Sequence, residues 1–183
     1  MDEQAKGAWQ SRRRAMAAMA MACGGAALLE TRNAQAEPEE EVSHSADAIH
    51  QETVFKASRQ RVYEALTDTT QFDKVIQLGS GDSKALGSEA THISKEAGGA
   101  FVLFGGHIFG RQIELRPSER IVEAWRVADW APGIYSIARF ELKEDGGGTR
   151  VVFDHTGFPK GLGPHLAAGW RGHYWEPLAK FLS

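Results

Sequence analysis

Two side chains in this sequence could face one another across a cavity and do chemistry: His155, in TRVVFDHTG, and Arg111, in HIFGRQIEL. An imidazole titrates near neutrality and can act as a general base. An inward guanidinium must be paired or solvated, so it could hold a ligand carboxylate or phosphate. Plainer roles are open to both, His155 as a hydrogen-bonded structural histidine and Arg111 as the partner of Glu123. Around them Trp125, Trp170 and Tyr174 stand at strand and helix spacing, and His107 shares the strand parity of Arg111. These aromatics suit either a packed core or the wall of a small-molecule pocket.

Other constellations do not reach the level of a motif. Gly79-Ser80-Gly81 is too short for a nucleophile elbow and follows no strand. His165 and His173 lie eight apart without a third ligand between them, and His44 and His50 have no cysteine nearby. Carboxylate pairs spaced for acid–base work do not stand out, and the glycine pairs 98–99 and 105–106 read as turns, not as a phosphate-binding fingerprint. No metal and no cofactor is therefore expected. With 21 Lys+Arg against 24 Asp+Glu, a formal net charge of −3, the chain is also no basic nucleic-acid binder.

The elements that must position these residues can be read from periodicity. Residues 49–57 read as a strand, Ser58 as a helix N-cap, and Val62 with Leu66, then Phe72 with Val75 and Ile76, as the apolar faces of two short helices. After a Gly/Ser-rich loop, segments 89–96, 100–104, 107–116, 120–128, 134–143 and 149–157 read as strands separated by short turns, which implies an antiparallel meander. Parity turns Val151, Phe153 and His155 inward. It does the same for Ser136, Ala138, Phe140 and Leu142, and for Ile121, Glu123 and Trp125. In 107–116, with Ile113 and Leu115 taken as inward, His107, Phe109 and Arg111 join that face. Pro164 to Leu182 then reads as one helix, roughly 28 Å long, with the stripe Leu166, Trp170, His173 or Tyr174, Pro177 and Phe181 and a bend near His173 caused by Pro177. The fold class is α+β: a curved antiparallel sheet wrapped on a long C-terminal helix, with two short helices after strand 1. A helix standing off that sheet would leave a cavity.

The stretches GGAFVLFGGHIFGRQIELRPSERIVEAWRVADWAPGIYS (98–136), GGGTRVVFDHTGFP (146–159) and GWRGHYWEPLAKFL (169–182) resemble the C-terminal domain of the activator of heat-shock protein 90 ATPase and its bacterial homologues. That family sits in the START-like, or SRPBCC, superfamily, so the resemblance implies a helix-grip (START/SRPBCC-like) fold over residues 49–183. The same fold hosts binding proteins, cyclases and co-chaperone modules.

Residues 1–36 read as an export signal. Ser11-Arg12-Arg13-Arg14 closes a polar region, a weakly apolar run follows, and Ala34-Gln35-Ala36 offers a cleavage site. The pair Arg12 and Arg13 resembles a twin-arginine signal. The apolar run is too short and too weak for a membrane span. A rival reading makes Cys23 a lipidated N-terminus, against which stands the missing Leu three residues before it. Cleavage after Ala36 would remove five basic residues (Lys6, Arg12, Arg13, Arg14, Arg32), three acidic ones (Asp2, Glu3, Glu30) and the single cysteine, leaving 16 basic against 21 acidic and a net of −5. Residues 37–48, with five carboxylates in twelve positions, read as an acidic linker.

The sequence thus predicts a periplasmic binding protein for an apolar or amphipathic small molecule. Its candidate lining residues are His107, Arg111, Trp125, His155, Trp170 and Tyr174, none with an assigned catalytic role. An exported protein would not meet a cytosolic chaperone. A chaperone-ATPase-activating interaction module is the alternative if the chain is not exported, and a cyclase- or hydrolase-like enzyme built on His155 and Arg111 is the second.

Overall fold

The computed structural model describes residues 48–79 and 87–183, so the proposed signal, with Arg12, Arg13, Ala34 and Ala36, and the linker up to Asp47 lie outside the described residues. Strand β1 (Ile49–Phe55) leads into helices α1 (Arg59–Thr67) and α2 (Thr69–Gln77). Ser58 caps α1 by accepting from Arg61 N–H, and Asp68 caps α2 by accepting from Thr70 and Gln71 N–H at 3.1 Å each. Strands β2 (His92–Ile93), β3 (Ala100–Leu103), β4 (Ile108–Arg116), β5 (Arg120–Val127), β6 (Ser136–Asp145) and β7 (Gly148–Thr156) follow.

All seven strands form one antiparallel sheet in the order β1-β7-β6-β5-β4-β3-β2. The meander is as the spacing implied, and β1 closes it by pairing with the last strand. The first meander strand is shorter than predicted, two residues in place of 89–96.

Alternation places side chains as expected in three strands. Ile121, Glu123 and Trp125 of β5, Ser136, Ala138, Phe140 and Leu142 of β6, and Val151, Phe153 and His155 of β7 are all buried. In β4 the expectation fails. Ile108, Gly110 and Gln112 point inward, and Arg111 is exposed, its guanidinium donating to the Gly98 carbonyl at 2.8 Å. A bulge is the reason: the register with β5 shifts between Gln112 and Glu114, leaving Ile113 as the extra, half-exposed residue. Side chains before the bulge are therefore out of phase with Leu115 after it, and counting back from Leu115 assigns Arg111 to the wrong face.

The C-terminal helix runs as α3 (Gly163–Trp170), a π-type turn (Arg171–Trp175) and α4 (Glu176–Leu182), 20 residues without a break. Pro177 brings no N–H for the His173 carbonyl, and the turn before it widens, with Glu176 N–H reaching back to the Arg171 carbonyl. The consequence is a change of phase. Leu166, Trp170, Tyr174, Leu178 and Leu182 are buried at steady intervals of four. In an unbroken α-helix that interval drifts about 40° per step, and the wider turn takes up much of the drift. The predicted positions Pro177 and Phe181 give way to Leu178 and Leu182 as the sheet-facing residues after that turn, although Pro177 is buried as well.

Polar ties fasten this helix to the β1–β7 half of the sheet. Gln51 of β1 donates to the Ala167 carbonyl at 2.9 Å and accepts from Trp175 Nε1–H at 2.5 Å, while Trp170 reaches His155 of β7. The opposite half has no such tie to α3 among these bonds, and the cavity lies there. Among the described residues no helix is long and apolar enough to cross a membrane.

Candidate functional site

Between the first turns of the C-terminal helix and the ends of β4 and β5 lies a cavity of about 450 Å³, within the range that holds small organic molecules. Trp125, Val127 and Trp130 line its sheet side, Ile108 and Phe104 one end, and Leu166, Gly169, Trp170 and Tyr174 its helix side. Its polar lining includes Asp129, His107, His165 and His173, and no lysine or arginine lines it among the described residues. Among the described residues no cluster of three or more His, Cys, Asp or Glu side chains could hold a metal ion.

The six residues singled out from the sequence divide three ways. His107, Trp125, Trp170 and Tyr174 line the cavity. His107 does so from the turn before β4, where Phe104 (φ 51°), Gly105 (φ 67°) and Gly106 (φ 94°) bend the chain, and not through strand parity. His155 lies behind the wall, fully buried, with the Trp125 and Trp170 rings packed against it at 5.0 and 5.5 Å. Arg111 is on the outer face and takes no part.

The polar contacts of His155 form a closed chain. Trp170 Nε1–H donates to His155 Nδ1 at 2.9 Å, so Nδ1 is the unprotonated nitrogen. Nε2–H then donates to Ser136 Oγ at 2.7 Å, and the Ser136 hydroxyl donates to the Trp125 carbonyl at 2.9 Å. Every donor in this chain has one acceptor. Burial holds the imidazole neutral by pushing its pKa down to about 3. A neutral imidazole with both nitrogens engaged has no lone pair to offer a substrate. With Arg111 on the other face, the base-and-anion pair suggested by the sequence is not assembled.

A second polar cluster lies deeper between sheet and helix, and it is not closed. Gln112 and Glu123 face each other in register across β4 and β5, both buried. Burial raises the Glu123 carboxyl to about 8, opposed by the neighbouring Gln112 amide. The Tyr174 hydroxyl feels this carboxyl, and its own pKa is raised by burial first and by Glu123 second. Yet Gln112 Nε2 and Oε1, Trp125 Nε1 and the Tyr174 hydroxyl are all buried without a hydrogen bond of good geometry, although Gln112 stands close enough to Glu123, and Trp125 to Tyr174, to pull the pKa of each acid back down. A void of about 10 Å³, enough for roughly one water, touches Glu123 and Tyr174. Tyr174 lines both this void and the large cavity, so it is the partition between them.

Sequence reasoning turned Glu123 inward but gave it no role beyond pairing Arg111. It did not consider Gln112. The bulge hides Gln112 from any parity count, whereas a glutamate between Ile121 and Trp125 on a core face was a visible signal. Trp130, Leu162 and Phe104 also line the cavity unforeseen, because they sit in turns where period carries no information.

Comparison with known proteins bears on the same stretch of chain. The family described as Activator of Hsp90 ATPase homolog 1-like protein matches residues 56–183. The activator of 90 kDa heat shock protein ATPase homolog of Dictyostelium discoideum is 35% identical over 77 residues, 42% of this chain and 20% of that protein. The mouse activator homolog 2 is 23% identical over 135 residues, 74% of this chain and 38% of its own length. The chain thus spans less than two fifths of these curated relatives. Among solved structures, an HSP90 activator from Plasmodium falciparum superposes with a TM-score of 0.63 at 21% identity, covering 74% of this chain and 95% of that one. CalU16 from Micromonospora echinospora does so with 0.60 at 20% identity, covering 75% and 77%. At these identities the likeness is one of fold.

Proposed function

Because the chain belongs to the Activator of Hsp90 ATPase homolog 1-like family, whose fold hosts several activities, we propose its function from the cavity: it binds an apolar or amphipathic small molecule between sheet and C-terminal helix. The observation that carries this reading is an aromatic-lined space of about 450 Å³ between the sheet and the C-terminal helix. Burying apolar ligand surface there gains about 25 cal/mol per Å² removed from water. Trp125 and Trp170 supply broad faces, and Asp129 and the three histidines offer polar contacts.

We place this activity in the bacterial periplasm, on the strength of Arg12-Arg13 ahead of a weak apolar run and of Ala34-Gln35-Ala36. Native and denaturing mass spectrometry of the protein recovered from its own host's periplasm test both parts together. The expected result is a chain beginning at Glu37 with an added mass that is lost on denaturation. A full-length, bare chain in the cytosol would overturn the export reading and leave the cavity without its main support.

A second reading has its own observation, the relatives named as activators of a chaperone ATPase. Under it the domain is a protein-interaction module, and a pull-down with a purified heat-shock protein 90 of the same host should retain it. Absence of that interaction together with a bound small molecule favours the first reading.

A further inference from the structure

The wall of the large cavity is built mainly from aromatic rings. Phe104, Trp125, Trp130, Trp170 and Tyr174 line it, and the Trp125 ring centre lies 5.6 Å from that of Trp130 and 5.4 Å from that of Trp170. Such rings are electron-rich on their faces and attract a cation that stands over them. The charge at the mouth has the matching sign. Asp129 is exposed there and makes no ion pair and no side-chain hydrogen bond among the described residues. A second carboxylate, Glu89, lies over Gly106, where a Cβ would come within 2.8 Å of its Oε2, and it too has no cationic partner among the described residues. Ala128 N–H donates to the His107 carbonyl at 2.8 Å, so the turn carrying Asp129 and the turn carrying Gly106 and His107 meet at one end of the cavity. Arg126, the cation nearest Asp129 along the chain, packs on the outer face of the sheet between the Phe109 and Tyr135 rings and does not line the cavity. Its guanidinium donates to the Val127 and Trp130 carbonyls and so fixes the turn that presents Asp129.

Resting on the cavity-binding reading above, we propose that the bound molecule is an amphipathic organic cation, an apolar group lodged among the tryptophans with a tertiary or quaternary ammonium at the end where Asp129 and Glu89 stand. An ammonium placed there keeps part of its hydration, because Asp129 is exposed, and so avoids the cost of a fully buried charge. Its carbon substituents still meet aromatic faces, which is how quaternary ammonium groups are recognised elsewhere. An anion of the same shape would face two carboxylates, with no lysine or arginine in the described lining to offset them. A neutral molecule fills the same space but gains nothing from either carboxylate.

The test uses three probes of similar shape and different charge: benzyltrimethylammonium, neopentylbenzene and benzylsulfonate. Their dissociation constants are measured by tryptophan fluorescence on the wild-type protein and on Asp129→Asn, a change at an exposed position that leaves the fold intact. The measurements are made at about pH 8.5, above the range in which imidazoles ordinarily take up a proton, which keeps the three lining histidines from adding charge of their own. The wild-type protein is expected to bind the ammonium at least about tenfold more tightly than the sulfonate. In Asp129→Asn the ammonium should weaken by about threefold relative to the neutral probe, the size of an exposed ion pair. Taking that ratio between the two proteins cancels the probes' differing hydrophobicity. If the sulfonate binds as tightly as the ammonium, if only the neutral probe binds, or if the ammonium-to-neutral ratio is the same in both proteins, this inference fails while the cavity reading stands. If none of the three binds the wild-type protein, the cavity reading fails and this inference with it.

Discussion

Two buried polar clusters flank Trp125, and they differ in one respect. Around His155 each hydrogen has an acceptor, ending on the Trp125 carbonyl. Around Glu123 and Tyr174 four polar atoms make no hydrogen bond of good geometry, among them Trp125's own indole nitrogen. The same residue thus closes one network with its backbone and leaves the other open with its side chain. A satisfied network rigidifies a core, and an open one leaves buried polar groups at a desolvation cost. The first cluster therefore reads as a closed structural network and the second as a looser one beside a void of about 10 Å³, although the sequence drew attention to the first.

The strongest test of that division removes Trp170, which packs on Trp125, Phe140, Phe153 and His155 and donates to His155. Trp170→Ala should cost about 4 kcal/mol of stability in urea unfolding, through the cavity it leaves and the orphaned imidazole. A loss below about 2 kcal/mol would mean that the His155 network does not organise the core.

Titration separates the clusters by sign. The folded-state pKa of His155 lies near 3, below the ordinary 6.5, so the unfolded chain takes up the proton first. Its stability contribution is fully present above about pH 6.5 and is lost as pH falls toward 3, on the order of 3 kcal/mol over that window. A His155→Gln variant should flatten this acid limb. Glu123 behaves oppositely. Its folded pKa of about 8 stands above the ordinary 4.5, so its contribution is full below about pH 4.5 and is lost as pH rises through 8, by about 2–3 kcal/mol. Glu123→Gln should remove that alkaline loss and be more stable than wild type at pH 8 in denaturant titrations. Equal alkaline slopes in the two proteins would show that the carboxyl is solvated and the cluster is not the buried site described.

Much of this arrangement was legible beforehand, for physical reasons that also mark where legibility stopped. In β5, β6 and β7 one face is buried throughout, so period-two alternation turned Ser136 and His155 inward, whereas in β5 both faces mix apolar and charged residues and only Trp125 favoured the face that carries Glu123. In β4 a single extra residue, Ile113, reversed the parity, and Arg111 and Gln112 exchanged roles. Nothing in HIFGRQIEL announces a bulge, because bulge formation depends on the partner strand. The helix told a similar story at smaller scale. Pro177 was visible, but its effect was a widened turn that moved the stripe by one position. The chemistry was least legible of all, since whether a buried donor has an acceptor is decided by tertiary distances that no spacing encodes.

The finest test compares the loss of one hydroxyl from each cluster. Ser136→Ala removes the acceptor of His155 Nε2–H, leaves that group buried with no partner, and should cost about 1–2 kcal/mol. Tyr174→Phe removes a hydroxyl that makes no hydrogen bond of good geometry, and it spares the protein the burial of a poorly paired polar group. Its effect on the ligand-free protein should be small, under about 1 kcal/mol, and toward greater stability. Chemical denaturation of the two variants side by side reads the difference directly. If Tyr174→Phe were as destabilising as Ser136→Ala, the tyrosine hydroxyl would have a firm partner within the protein itself, and the second cluster would be as closed as the first.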